Sequence, residues 1–167
     1  MRSTNRVLVF VALLLLSECA VAADELAKAR EALAGLKIDL QKGRIARVDV
    51  FFISYFTAIP MRVTPQLLEP QAQRKASGKL GAELVVGLIE AIDGTELHLD
   101  DGESDLRWGA VFLDQFGTRL HAIYLNSYYF SSGAGRRGYI DGIPVRLNSS
   151  LITWFETNFY YGYNRIK

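Results

Sequence analysis

The sequence predicts an α+β fold, in which an antiparallel sheet of about five strands packs in two layers against an N-terminal, a central and a C-terminal helix. Apolar residues recur at steps of three and four in three separate stretches, as on the buried stripe of a helix. Between the second and third stretches the period changes to two, and turn sequences separate short β-branched and aromatic runs. Helices combined with sequential hairpins are typical of this class.

The amino terminus has the three parts of an export signal. Arg2 and Arg6 give a positive start, residues 7–16 form an uncharged apolar run, and Ala20-Val21-Ala22 supplies small residues at a cleavage site. We therefore predict a cleaved Sec-type signal peptide over residues 1–22 and a single mature domain over residues 23–167. Such a protein would be periplasmic or secreted.

Cys19 provides an alternative at the same place, a lipoprotein anchored through this residue, although Glu18 stands where such signals have a small residue. The apolar run is shorter than the roughly 20 residues that span a bilayer, so no membrane span is expected after cleavage. Cys19 is the only cysteine, so the mature domain would be free of disulfides and thiol chemistry. Residues 23–167 hold 17 basic and 17 acidic side chains, and this neutrality argues against nucleic acid as a partner.

The first half of the mature chain predicts three helices and a strand. The first helix carries a stripe of five residues, Leu26, Ala29, Leu33, Leu36 and Leu40, and Gly43 closes it. Residues 47–56 read as a buried strand. A short helix over residues 65–69 should stop before Pro70, residues 71–79 read as a loop, and residues 80–92 form the central helix.

The second half predicts strands and a last helix. Residues 96–100 alternate, and strands 106–113 and 118–126 flank a turn at residues 114–117. Asp141-Gly142 is a strong hairpin signal, and Pro144 predicts that its second arm is an edge strand. The final helix has a stripe of large apolar side chains, Leu151, Trp154, Phe155 and Phe159, and Asn148 as its cap.

The segment from Gly133 to Gly138 fits the GxGxxG pattern of dinucleotide-binding proteins. That pattern functions between a strand and a helix, whereas a hairpin follows here, so we expect no cofactor. A glycine-rich loop with two arginines could still hold an anion, or its arginines could simply be solvated.

Four acidic residues surround Gly102 and are weak candidates for a metal site, with a solvated turn as the alternative: Asp100, Asp101, Glu103 and Asp105.

His121 is the weak catalytic candidate. In the hairpin with a loop over residues 114–117 it lies opposite Ala110, with Trp108 and Phe112 diagonal on the same face, where burial would lower the pKa of its imidazole. A loop shorter by one pairing step would instead place His121 opposite Val111 and separate it from these aromatic residues. A hydrolase would also need a nucleophile such as Ser127 or Ser131 and an orienting acid such as Asp114, and no GxSxG motif is present. A hydrogen-bonded core histidine is the alternative.

Aromatic residues are concentrated near the carboxyl terminus, where 11 of the 18 in residues 23–167 lie between positions 124 and 163. Tyrosine and arginine beside small residues are typical of protein-binding surfaces. The predicted binding residues are Tyr128, Tyr129, Phe130, Arg136, Arg137 and Tyr139, although the aromatic run could instead continue a strand into the core.

These features favour a small exported domain that binds another exported protein, for example as an inhibitor or immunity-type module. A periplasmic hydrolase or saccharide-active enzyme that uses His121 is one alternative. A passive component of envelope assembly is another.

Overall fold

The computed structural model describes residues 4–54, 57, 59, 61–100, 104–126 and 135–160, with backbone alone for residues 4–22, 74, 76, 149, 156 and 160. The fold is α+β, as predicted. Its elements in chain order are α1 (Thr4–Gln41), β1 (Arg47–Phe52), α2 (Pro65–Gln71), β2 (Arg74–Gly78), α3 (Ala82–Asp93), β3 (Leu97–Leu99), β4 (Leu106–Leu113), β5 (Arg119–Asn126), β6 (Arg136–Ile140), β7 (Ile143–Leu147), α4 (Ser149–Phe155) and a π-helical turn, Glu156–Tyr160.

The sheet is antiparallel with the strand order β2-β1-β4-β5-β6-β7-β3. It has seven strands within the described residues, so the expectation of about five was too low. The predicted loop over residues 71–79 was also wrong, because β2 lies there and pairs with β1. Its register places Lys75 beside Phe51 and Ser77 beside Asp49, whose carboxylate accepts a hydrogen bond of 2.5 Å from the Ser77 hydroxyl. Polar side chains are typical of an edge strand. Because they do not alternate with apolar residues, the sequence of β2 lacks the period of two that would have predicted a strand.

One face of the sheet carries the main core. The stripe predicted for the first helix is buried against it, since Ala29, Leu33, Leu36 and Leu40 are each no more than 5 % exposed. Helices α3 and α4 complete the cover, and Trp154 of α4 contacts Phe155 and Phe159 with ring centroids 5.2 and 5.3 Å apart. Three helices therefore shield this face from water.

The opposite face has its own smaller core, so the two-layer expectation does not fully describe the molecule. Helix α2 and the segment before it cover β1 and β4 there, with Ile53, Val63 and Leu68 fully buried. Tyr124 of β5 is buried at the margin of this cluster. Beyond that margin, α2 is too short to cover the rest of β5 and β6.

The expected effects of Pro70 and Pro144 on the fold were both wrong. Helix α2 continues through Pro70 to Gln71, although a proline at that point removes one backbone donor. Pro144 does not lie on an edge strand, because β7 is between β6 and β3. Strand β3 reaches only Val145 to Leu147, however, so Pro144 has a strand neighbour on the β6 side alone and its missing N–H interrupts no pairing with β3.

The end of α1 and the start of α4 match their sequence signals. Gly43 has a φ of +64° after α1, a conformation that favours glycine. The side-chain oxygen of Asn148 accepts a hydrogen bond of 3.4 Å from the Ser150 amide, as expected for the cap of α4. In the part of the chain that the structure describes, no helix is both long and apolar enough to cross a membrane.

Candidate functional site

His121 lies on the helix-covered face of the sheet, but its register differs from the prediction. The turn is one residue longer than predicted, because Leu113 pairs with Arg119, and a β-bulge between Phe112 and Leu113 shifts the register by one more step. His121 therefore pairs with Phe112, while Ala110 pairs with Ile123. A bulge adds one residue to one strand, and nothing in the alternating pattern marks it. The expectation that His121 shares a face with Trp108 and Phe112 is confirmed, and its expected partner Ala110 is wrong.

Two carboxylates flank the His121 ring. Nδ1 lies 2.8 Å from Oδ2 of Asp141 in the β6–β7 turn, and Nε2 lies 3.4 Å from Oδ2 of Asp39 near the end of α1. The side chains of His121 and Asp39 are 14 % and 9 % exposed. Arg44 pairs with the other oxygen of Asp39. We call Asp39, His121 and Asp141 the carboxylate–histidine cluster.

Asp141 is held in place by the backbone as well. Its φ of +48°, followed by +85° at Gly142, corresponds to the hairpin turn that the sequence predicted. Its Oδ1 accepts a hydrogen bond of 2.6 Å from the Ala122 amide, and its own amide donates to the Ala122 carbonyl at 2.9 Å. The turn therefore aims this carboxylate at β5 and His121.

The pKa of His121 is shifted in the direction opposite to the one expected. Burial lowers this pKa, but the hydrogen bonds and negative charges of Asp141 and Asp39 outweigh burial, so it lies above its ordinary value of 6.5. The prediction considered aromatic neighbours alone. Neither carboxylate is close to His121 in the sequence, so their effect follows from the tertiary structure.

This geometry does not suit the predicted hydrolase. A general base needs a nitrogen lone pair directed at a substrate, whereas both nitrogens of His121 face carboxylates. The expected orienting acid, Asp114, instead accepts hydrogen bonds of 2.8 Å from the amides of Phe116 and Thr118 in the β4–β5 turn. The suggested nucleophiles Ser127 and Ser131 lie outside the described residues.

A groove of about 850 Å³ opens on the opposite face, where α2 leaves β5 and β6 uncovered. Tyr124 and Tyr139, which are cross-strand partners, form part of its wall with Ala122. Pro65 and Pro70 border it on the α2 side. Asp141 lines the groove while it contacts His121, so it links the two faces of the sheet.

Glu69 organises the polar part of the groove. The Tyr124 hydroxyl donates to Oε1 of Glu69 at 2.5 Å, and the Arg119 guanidinium pairs with the same oxygen. Burial, together with the hydrogen bond to Glu69, raises the pKa of Tyr124 well above its ordinary value. The phenol therefore stays a neutral donor, and a tyrosine, a carboxylate and an arginine are held together at the mouth of the groove.

The structure separates the predicted binding residues. Tyr139 lines the groove, whereas Arg136 lies on the opposite face of β6 and is buried at 4 % exposure. Arg137 shares the face of Tyr139 but contacts Asp100 and does not line the groove. Both arginines lie in a strand, although the sequence suggested that they belong to a loop. Tyr128, Tyr129 and Phe130 lie outside the described residues.

Two of the four acidic candidates are engaged in internal contacts. Oδ1 of the buried Asp100 lies 3.3 Å from Arg137 and 3.4 Å from Arg146. Asp105 pairs with Arg107 at 2.6 Å and accepts a hydrogen bond from the Val63 amide. Asp101 and Glu103 lie outside the described residues, and the residues that are described contain no group of three acidic, histidine or cysteine side chains that could hold a metal ion.

The glycines of the GxGxxG pattern serve packing in the described part of this segment. A Cβ atom at Gly138 would lie 2.1 Å from the Tyr124 carbonyl oxygen, and one at Gly135 would lie 2.3 Å from that of Leu147. Close approach of neighbouring strands therefore requires glycine at both positions. No helix follows them, as the sequence predicted, and β7 comes next after β6.

Sequence reasoning missed Asp39, Asp141, Glu69 and Arg119 as members of these sites. The Asp141-Gly142 turn was a usable signal, since it places an acidic side chain at the end of a hairpin beside β5. No family model, no curated protein and no solved structure matches this chain.

Proposed function

We propose that the chain is an exported domain that binds a segment of another exported protein in the groove beside α2. The observation that carries this proposal is the groove itself, which lies on a sheet face that the protein's own helices leave partly uncovered. Tyr139 is only partly buried and supplies a rigid ring to the groove wall, and such residues bury large areas at low entropic cost. Tyr124 is 3 % exposed and forms a fixed part of the wall beside it. An inhibitor or immunity-type module would use a surface of this kind.

Binding is favoured over hydrolysis because the polar groups are already paired. His121 lines neither the groove nor the cavity of about 590 Å³ beside α1 and β3. Glu69, Arg119 and Tyr124 contact one another, an arrangement that presents fixed donors and acceptors but places no free base beside a nucleophile. Among the predicted binding residues that the structure describes, Tyr139 lines this groove.

Site-specific photo-crosslinking tests this proposal. A photoreactive aromatic residue at position 139 should crosslink one exported protein in a periplasmic extract, and mass spectrometry would identify it. The matched control is position 116, because Phe116 is 82 % exposed in the β4–β5 turn and lies outside the groove. Equal labelling from both positions, or from neither, would contradict the proposal.

Substitutions in the groove separate binding from folding. Tyr139→Ala should lower the affinity for the purified partner at least tenfold, as expected when an aromatic contact at the centre of an interface is removed. Phe116→Ala should leave the affinity unchanged. Both variants should retain a cooperative thermal transition, since Tyr139 is only partly buried. Unchanged affinity in Tyr139→Ala would remove the groove as the binding surface.

A further inference from the structure

The carboxylate–histidine cluster joins three parts of the chain that are distant in sequence. Asp39 belongs to α1, His121 to β5 and Asp141 to the β6–β7 turn. His121 supplies both connections, one from each ring nitrogen. Its ring also sits close to α1, because a Cβ atom at Gly35 would lie only 3.3 Å from Cε1. A single side chain therefore attaches the end of the helix to the groove wall that contains Asp141.

The two contacts require two N–H donors. A neutral imidazole carries only one N–H, and its other nitrogen is a lone-pair acceptor. If His121 were neutral, one nitrogen would direct a lone pair at the carboxylate of Asp39 or Asp141, and that contact would change from attractive to repulsive. Only the protonated ring satisfies both carboxylates at once.

The charged groups around the ring are few within the described residues. Asp39 faces it from α1 and Asp141 from the turn, and Arg44 faces Asp39 from the segment after α1. Strand β4 contributes the apolar Phe112 as the cross-strand neighbour. The imidazolium thus has two carboxylates beside it, and one of them is shared with a guanidinium.

We propose that His121 is a pH-responsive clasp, which holds the end of α1 to the β6–β7 turn while the imidazole is protonated and releases one of them on deprotonation. Asp141 and Ala122 also line the groove, so the clasp fixes the position of that wall. This device goes beyond the proposed binding function and does not depend on the identity of a partner.

The direction of the pH effect follows from the shift of the pKa of His121. Burial lowers this pKa and the two carboxylates raise it by more, so the folded value is above 6.5. A raised folded pKa gives stability that is complete below the unfolded pKa and is lost as the pH rises through the folded value. The clasp should therefore be closed below pH 6.5 and should open as the pH rises through the folded pKa of His121, which lies above 6.5.

Proton NMR of the intact chain tests the clasp without any change at His121. The chain has two histidines, and His98→Gln assigns their Cε1–H resonances. The His121 resonance should titrate with a midpoint above 6.5. Protection of the Asp141 and Ala122 amides from hydrogen exchange should fall through the same pH range. A midpoint at or below 6.5, or protection that does not follow the titration, would overturn the proposal.

Two matched variants identify the carboxylate that is responsible. Asp39→Asn should lower the His121 midpoint because it removes one negative charge, with a tenfold change in proton affinity for each pKa unit. Asp93→Asn is the control, since Asp93 also anchors α1, through Lys37 of that helix at 2.5 Å, but does not face His121. Equal midpoints in the two variants would mean that Asp39 does not belong to the clasp.

Discussion

The ring of Tyr124 on β5 occupies the space above Gly109, its cross-strand partner on β4. A Cβ atom at Gly109 would lie 2.9 Å from Cδ1 of Tyr124 and 3.0 Å from Cδ2 of Leu68 on α2. Because Gly109 has no side chain, the Tyr124 ring and Leu68 of α2 pack directly against it, and the Tyr124 hydroxyl reaches Glu69. The glycine therefore allows α2 and Tyr124 to pack closely on β4.

Gly109→Ala should destabilise the fold by about 1–3 kcal/mol, the usual cost of adding atoms to a filled core. Urea denaturation of the purified protein would measure it. In a Leu68→Ala background the cost should be smaller, because the shortened side chain leaves room for the methyl group. If the two substitutions changed the free energy of unfolding additively, Leu68 would not be the side chain that limits the space at Gly109.

Tyr124→Phe should cost about 0.5–1.5 kcal/mol near neutral pH, because it removes the hydroxyl that donates to Glu69. The pKa of Tyr124 is raised above 10.0 by burial and by Glu69, so this stabilisation is complete below the unfolded pKa and declines as the pH rises above it. The difference between wild type and variant should therefore narrow above about pH 10. Denaturation midpoints at pH 7, 9 and 10.5 would reveal it, and a constant difference would exclude the Glu69 contact as the cause.

Trp154→Ala should lower the free energy of unfolding by about 3–5 kcal/mol. The indole is 8 % exposed, packs against Phe155 and Phe159, and lies 3.1 Å from the position of a Cβ at Gly87 on α3. Phe116→Ala is the matched control, and its 82 % exposure predicts a change within about 0.5 kcal/mol. Similar midpoints for the two variants would place α4 outside the cooperative core.

The predicted signal peptide can be tested independently of the fold. Ala20→Asp combined with Ala22→Asp should leave an unprocessed precursor, because signal peptidase requires small residues at these positions. The intact mass of the exported wild-type chain should correspond to a first residue of Ala23. A lipid adduct on Cys19 would instead establish the lipoprotein alternative.

Much of the fold could be predicted because its signals are local. The stripe of α1, the hairpin turn at Asp141-Gly142 and the cap at Asn148 each depend on residues within a few positions of one another. Strand β2 could not be predicted in this way, because its polar residues have no apolar period and it forms by backbone pairing with β1. The missed strand β2 is one reason why the expected number of about five strands was lower than the seven observed in the described residues.

The candidate sites depended more strongly on tertiary contacts. The register of His121 is decided by the length of the β4–β5 turn together with a bulge, and its raised pKa by carboxylates that come from α1 and from the β6–β7 turn. Glu69 meets Tyr124 and Arg119 only because α2 folds back across the sheet. By itself, the sequence determined the fold class and the main elements, since periodicity and turn residues act over short distances. The tertiary structure alone decided which charges meet, since electrostatic interactions depend on distances in space.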